Sequence, residues 1–415
     1  MTVIDIAVIG GGIQGVGVAQ AAAAAGYSVL LVEKGQLAAG TSSASSKLIH
    51  GGLRYLRQGE LRLVRESLQE RDTLLRIAPD LVRANYFHIP VYRHTRLRPW
   101  QLRAGLALYA LLARRNPLAA LAGLNREQRR ALTGLNPAGL QAVFRYQDAQ
   151  TDDRLLTEAV ARSARQLGAS ILTETQAVAA QRDDDGYTLQ LKNATEPSAT
   201  EPNATEPNAT KPERSSQTIR CRALVNAAGP WLNQVAAHIT PQPPQLAVEL
   251  VKGTHLVLTP QLSPECYYLE APQDGRAVFA LPWYGKTLLG TTEVPWAGDP
   301  DQVTASAEEE TYLLTTLGSY FADYRDRCQV VERMAGLRVL PAGSDRPTER
   351  SRDVQLMVEL QGKSAYVAIY GGKLTGYRLT AQKVIAALQP SLGKRQAIAD
   401  TAHLPLAAPL EGLAR

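Results

Sequence analysis

Residues 3–9 are apolar at every position but Asp5, which predicts a buried strand. The alanine-rich residues 13–25 read as a helix and residues 28–33 as a second strand. Strand, helix and strand in so few residues make a parallel unit, and such units imply an α/β layered fold. Further on, Leu61, Val64, Leu68 and Leu75 recur at helical spacing with charges between them, the stripe of a helix packed on a core. Residues 154–167 read as another helix, followed by strands near 170–180, 186–192 and 218–226. From about 246 to 340 the pattern turns strand-rich, at 248–251, 255–258, 277–281 and 287–289, which predicts a largely antiparallel layer. An α/β pattern then returns, with a strand over 365–370, Gly371-Gly372, and a helix starting near Thr375. The prediction is therefore α/β plus α+β, two domains that interleave along the chain. One takes residues 1–80, 150–240 and 340–390, the other 81–149 and 241–339, and 391–415 is a tail.

A low-complexity tract interrupts this order. Thr195-Glu196-Pro197-Ser198-Ala199 recurs with small changes over 200–204 and 205–209, and a fourth copy begins at Thr210. Repeated proline and little apolar content predict a disordered loop expansion over 193–217. With 415 residues and 45% hydrophobic content, the chain has enough for two or three cores. A net charge of +6 favours anionic ligands or surfaces. Cys221, Cys266 and Cys328 lie far apart without paired spacing, which suits a reducing compartment. The N-terminus shows no export signal, and residues 104–113, the longest strongly apolar stretch of the first half, reach roughly half a spanning helix. The expectation is a cytoplasmic protein that does not cross a membrane.

The chemistry begins at the first strand-to-helix turn. In Gly10-Gly11-Gly12-Ile13-Gln14-Gly15, Gly10 permits the tight turn, Gly12 lets backbone approach a pyrophosphate, and Gly15 allows close helix–strand packing. Glu33 closes the second strand, where its carboxylate can accept ribose hydroxyl hydrogen bonds and disfavours a 2′-phosphate. This is a Rossmann-type dinucleotide unit, and the choice lies between FAD and NAD. The chain returns to this domain through Leu224-Val225-Asn226-Ala227-Ala228-Gly229-Pro230-Trp231 and again over 366–375. A helix N-terminus after Gly371-Gly372 would set a positive dipole end at the pyrimidine edge of a reduced flavin, which favours non-covalent FAD.

The stretch Thr41-Ser42-Ser43-Ala44-Ser45-Ser46-Lys47-Leu48-Ile49-His50-Gly51-Gly52-Leu53-Arg54-Tyr55-Leu56 resembles the signature of the FAD-dependent glycerol-3-phosphate dehydrogenases, which belong among the D-amino-acid-oxidase-like flavoproteins. Further matches follow in family order: Val251-Lys252-Gly253-Thr254-His255, Leu281-Pro282-Trp283, Gly290-Thr291-Thr292, Gly336-Leu337-Arg338, Arg352-Asp353 and Gly371-Gly372-Lys373-Leu374-Thr375-Gly376-Tyr377-Arg378. The resemblance implies a Rossmann-type FAD domain interleaved with a mainly antiparallel β substrate domain. It implies oxidation of sn-glycerol 3-phosphate to dihydroxyacetone phosphate, with electrons passed to a quinone. Beside Gly10, Gly12, Gly15 and Glu33, it implies cofactor contacts from Thr41, Ser42, Ser46, Lys47, Leu48, Val178, Gly229, Gly372, Lys373, Leu374 and Thr375. Arg54, Tyr55, Arg352, Lys373 and Thr375 are implied to hold the substrate, whose phosphate dianion suits cations and hydroxyl donors.

Oxidising a secondary alcohol requires hydride to leave carbon 2 while the hydroxyl proton is removed or the developing alkoxide stabilised. His50 and His255 are both candidate bases, and Arg338 is the candidate alkoxide stabiliser. No metal-ligand cluster is expected. The alternatives are a glycerophosphate oxidase using oxygen, another 2-hydroxy- or amino-acid oxidoreductase of the same fold, and a non-catalytic flavoprotein. Three departures from the family pattern stand out: Glu293 where Asp is usual, Val339 where Pro is usual, and an end at Arg415 where the family continues into a helical domain. Residues 93–126 form a basic amphipathic segment, with Arg93, Arg96, Arg98, Arg103, Arg114, Arg115 and Arg126 interleaved with Trp100, Tyr109 and leucines. That pattern suits peripheral attachment to an anionic membrane on the inner face of the cell membrane. It lacks any nucleic-acid recognition motif, and a homodimer is compatible with the sequence.

Overall fold

Two sheets divide the chain between them. The computed structural model describes residues 3–113, 122–132, 134–193, 217–343 and 353–407, without the side chains at 54, 57, 58 and 122. The five-residue repeats, Arg114, Arg115 and Arg352 lie outside the described residues.

The first sheet is built on the strand Ile4–Ile9, which lies parallel between Val29–Val32 and Gln217–Asn226. Ser364–Tyr370 runs parallel to Gln217–Asn226 on the far side, and Ser170–Leu172 extends the opposite end beside Val29–Val32. An antiparallel hairpin, Thr175–Asp183 with Gly186–Asn193, adds to the sheet through Gln217–Asn226. Residues alternate between faces as the pleat requires. Ile6, Val8, Val29, Leu31, Val225 and Val367 join one core with the helices Ile13–Ala24, Asp153–Gln166 and Tyr377–Leu392. Ala7, Ile9, Leu30, Val32, Leu224 and Tyr366 face the other core. The parallel strands at its centre are the α/β layer read from the first 33 residues, within a sheet that also carries antiparallel strands.

The second sheet is mainly antiparallel. Its spine is one continuous strand, Val248–Thr259, where the apolar pattern predicts two. Gly253 does not break it: the strand continues with Gly253 opposite Gly336 in the ladder with Gln329–Pro341. Lys286–Gly290 and Val294–Trp296 pair with other stretches of the same spine. Two long strands, Val82–Tyr92 and Leu140–Thr151, complete the far side of the sheet and are not predicted from the pattern. His88, Pro90 and several charges interrupt their apolar alternation, and proline inside a strand argues against one. The stretch near 170–180 resolves into two strands, Ser170–Leu172 and Thr175–Asp183.

The described part of the tail packs back on the first domain. Ile398 N–H donates to the Ala24 carbonyl at 2.8 Å, Leu406 N–H donates to the Ile77 carbonyl at 2.7 Å, and Leu406 is buried in the helix-covered core. Among the described residues no helix is long and apolar enough to cross a membrane.

Candidate active site

A cleft of about 1460 Å³ runs between the two sheets. It exceeds the roughly 300–1,000 Å³ of pockets that hold drug-sized ligands, which leaves room for a dinucleotide and a small substrate together. At one end lies the glycine turn. Gly10 has φ +111°, and a Cβ there would stand 2.5 Å from the Ala227 carbonyl oxygen, so only glycine lets the first strand approach the Gln217–Asn226 strand's end. Gly12 faces the cleft at the N-terminus of the helix Ile13–Ala24, as expected. Gly15 does not line the cleft. A Cβ there would fall 1.8 Å from the Gly10 carbonyl oxygen, so its part is the close helix–strand contact read from the motif.

Glu33 lines the cleft, and its carboxylate accepts the Gly11 N–H at 2.5 Å and the Gly35 N–H at 2.8 Å. Two N–H donors leave further lone pairs on a carboxylate that has about four acceptor sites. Ser42 Oγ accepts the Ile13 N–H at 2.9 Å, so a hydroxyl stands at the helix end where a pyrophosphate oxygen is favoured. The donor set, the glycine cradle and the carboxylate at the second strand fit the pyrophosphate and ribose of FAD.

The expected cofactor residues Thr41, Ser46, Leu48, Gly229, Gly372, Lys373, Leu374 and Thr375 also line the cleft. Val178 does not; Gln176 and Ala177 line it, and a bulge between Ala177 and Ala179 puts the strand out of simple alternation there. Lys47 lines the cleft, but its ammonium is turned to Asp153, at 2.5 Å, and to the Ser43 carbonyl, at 2.6 Å. Both partners are almost wholly buried, and Lys47 holds φ +58°, a strained backbone for a side-chain-bearing residue. Gln14 ties the first helix to the third visit of the chain by donating to the Lys373 carbonyl at 3.3 Å.

The same cleft holds the residues expected to carry chemistry. His50, Tyr55, His255, Arg338, Lys373 and Thr375 all line it. The His50 N–H donates to Thr375 Oγ1 at 3.2 Å, and the rings of His50 and Tyr55 are 6.4 Å apart. Lys373 Nζ lies 3.7 Å from the centre of the Tyr55 ring, a cation–π contact. Arg54 sits in the turn Leu53–Gln58 beside them, its side chain outside the described atoms.

His255 and Arg338 come from the two paired long strands. The His255 ring is buried, and its Nε2 is 3.0 Å from Ser46 Oγ. Gly290 is its cross-strand partner, and a Cβ there would stand 2.1 Å from the imidazole, so the ring lies over a position that must be glycine. Burial first, then the charges of Arg338 and Lys47, push the imidazole down to about 3, which keeps it neutral. Arg338 donates from Nη1 to Glu293 Oε1 at 2.9 Å and from Nη2 to Thr291 Oγ1 at 3.1 Å. Thr41 ties its loop to the strand that carries Arg338 by donating to the Leu337 carbonyl at 2.6 Å.

Several functional positions escape sequence reasoning. Phe87, Tyr146, Tyr268, Phe279 and Trp283 form an aromatic wall of the cleft, although only Trp283 falls in a recognised motif. Asp153 engages Lys47 from outside any glycine or histidine signal, and Glu293, marked in the sequence only as a departure after Gly290-Thr291-Thr292, engages Arg338. Asp153 opens a helix beside Asp152, a pattern that signals a cap, and Asp152 is indeed the cap that accepts the Leu155 N–H.

The profile of the family described as FAD dependent oxidoreductase matches residues 5–378. A glycerol-3-phosphate dehydrogenase from Pseudomonas aeruginosa is 39% identical over 394 residues, covering 94% of this chain and 72% of that one. A D-erythritol 1-phosphate dehydrogenase from Brucella abortus is 35% identical, covering 91% and 72%. Among solved structures, the glycerol-3-phosphate dehydrogenase from Bacillus halodurans complexed with FAD superposes with a TM-score of 0.73 at 26% identity, covering 98% of this chain and 68% of that one. With the dinucleotide cradle, the two-sheet architecture and these relatives in agreement, the chain belongs to the FAD dependent oxidoreductase family.

Proposed function

We propose that this enzyme oxidises sn-glycerol 3-phosphate to dihydroxyacetone phosphate and passes the electrons to a quinone. The observation that carries the reading is that the cations Arg338 and Lys373, the hydroxyls of Tyr55 and Thr375 and two histidines line the same cleft as the dinucleotide cradle. Bound FAD supplies the two-electron acceptor for the hydride leaving carbon 2. Lys373, Tyr55 and Thr375 hold the phosphate end, joined by Arg54 and Arg352 from the motifs. Neutral His255 presents an imidazole able to accept a hydrogen bond from the substrate hydroxyl, and Arg338 offsets the negative charge that grows on that oxygen. His50, tied to Thr375 and beside Tyr55, stands with the phosphate-holding group.

Rapid anaerobic mixing of the flavin-loaded enzyme with glycerol 3-phosphate is expected to bleach the flavin absorbance, and absence of bleaching would sink the reading. Because one relative acts on a four-carbon polyol phosphate, erythritol 1-phosphate belongs in the same panel. Comparing quinone reduction with peroxide yield separates a dehydrogenase from an oxidase.

The helix Pro99–Leu112 supports a peripheral position on an anionic lipid surface. Trp100 and Leu111 are 71% and 74% exposed on it, with Arg96, Arg98 and Arg103 exposed around them. Such a face combines an apolar anchor with cations for the headgroups. A homodimer is compatible with this reading.

A further inference from the structure

Arg338 carries positive charge to the cleft, and what stands behind it decides where that charge sits. Among the described residues, Thr291 and Arg338 line the cleft and Glu293 and Arg276 do not. Glu293 is nevertheless almost wholly buried, with 5% of its side chain exposed. Its Oε1 accepts from Arg338 at 2.9 Å, while its Oε2 lies 3.7 Å from Arg276 Nη1. Arg276 also donates to the Glu293 backbone carbonyl at 3.0 Å, and it pairs with Asp274, whose other oxygen accepts the Tyr312 hydroxyl at 2.9 Å. One buried carboxylate is thus shared between a guanidinium that faces the cleft and one that does not.

We infer that Glu293 is the positioning residue of Arg338. By sharing its carboxylate with Arg276, it draws the guanidinium onto the Thr291 side of the cleft and sets how much positive charge Arg338 presents to the reacting oxygen. The path of that side chain is narrow: a Cβ at Gly253 would stand 2.6 Å from Arg338 Nη2 and 2.7 Å from Thr291 Oγ1. A charge-assisted hydrogen bond is about twice as strong as a neutral one, so the anion, and not only the shape of the residue at 293, fixes the fork.

Two substitutions separate charge from shape. Glu293→Gln keeps the length and removes the charge; Glu293→Asp keeps the charge and shortens the reach by one bond, roughly 1.5 Å. Single-turnover flavin reduction by glycerol 3-phosphate is expected to fall about 10- to 100-fold in limiting rate for E293Q, and steady-state turnover with a quinone to show the same loss in kcat with KM within about threefold. E293D is expected to stay within about threefold of the parent in kcat. A merely structural role predicts the reverse order, since Gln is the closer fit in shape. Equal rates for all three proteins, or E293D falling below E293Q, would overturn the proposal. If E293Q fails to load flavin, Arg276→Gln reports on the same carboxylate: left to Arg338 alone it should lower kcat about 3- to 10-fold at constant KM, and an unchanged kcat overturns the proposal equally. The inference rests on Arg338 facing the reacting oxygen. An Arg338→Ala enzyme that reduces its flavin normally defeats that underlying reading, whereas a dead R338A beside an unaffected E293Q defeats only the role of Glu293.

Discussion

Gly253 shows how much a single missing side chain can decide. Gly253→Ala would put a methyl group where Arg338 and Thr291 meet, forcing the guanidinium aside at little cost to the rest of the strand. The expected outcome is flavin-loaded protein whose reduction by glycerol 3-phosphate is slowed at least about tenfold, measured by anaerobic stopped flow. Two buried histidines give a pH signature. His255 is pushed down to about 3, and His88 to about 4 by burial and the charge of Arg145. In the unfolded chain each titrates near 6.5, so below that pH the unfolded state binds more protons and is favoured. Their contribution to stability is therefore complete above about pH 6.5 and lost as the pH falls toward 4, by up to about 1.4 kcal/mol per unit for each histidine. Thermal melts across this range should flatten in His88→Gln, and an unchanged slope counts against the assignment. His255 was legible in the sequence because it sits in a recognised motif. Glu293 showed only as a departure from a pattern, since its partners Arg276, just before the strand Ala277–Trp283, and Arg338, in the strand Gln329–Pro341, are distant in sequence and no local spacing records them.

The strand-to-helix turn at Gly10 to Gly15 was readable because each glycine answers a local demand. The first strand, the helix Ile13–Ala24 and the strand Val29–Val32 match their expected limits closely. The long strands Val82–Tyr92 and Leu140–Thr151 were not readable, because their partners are distant in sequence and a proline and a histidine sit within the first. The Lys47–Asp153 pair is of the same distant kind: it pins the loop after the second strand to the first turn of the helix Asp153–Gln166. Asp153→Ala would leave the Lys47 ammonium buried without its carboxylate, a loss of about 3–5 kcal/mol. Chemical denaturation should show the midpoint falling with the slope unchanged. Asp153→Asn, which retains the hydrogen-bonding shape, should lose less.

Across the whole molecule, the net charge of +6 is expressed as two distinct surfaces. One is the cleft, lined by Arg338 and Lys373, the cations proposed to meet an anionic substrate, while the Lys47 ammonium is turned to Asp153. The other is the arginine-flanked helix with exposed Trp100 and Leu111. Sedimentation with phosphatidylglycerol vesicles should carry the protein down at low salt, and Trp100→Ala with Leu111→Glu should release most of it while flavin reduction is kept. Equal binding to neutral phosphatidylcholine vesicles would contradict the assignment, because each basic residue near an anionic surface contributes about 1 kcal/mol that a neutral one lacks.

The order of strands in the first sheet also has a bearing on how the enzyme is made. The strand Ile4–Ile9 is translated well before its neighbour Gln217–Asn226, and the strand Ser364–Tyr370 on the far side of that neighbour comes later still. Until the last of these is translated, the parallel core lacks a side and the helix of the glycine cradle lacks the Gly371-Gly372 turn that packs against Gln14. Non-local pairing of this kind folds slowly and leaves apolar edges uncovered meanwhile. Newly made chains should accordingly depend on chaperones until Ser364–Tyr370 is out, and flavin should be acquired only after that point, so that flavin shortage would show as lost protein as well as lost turnover.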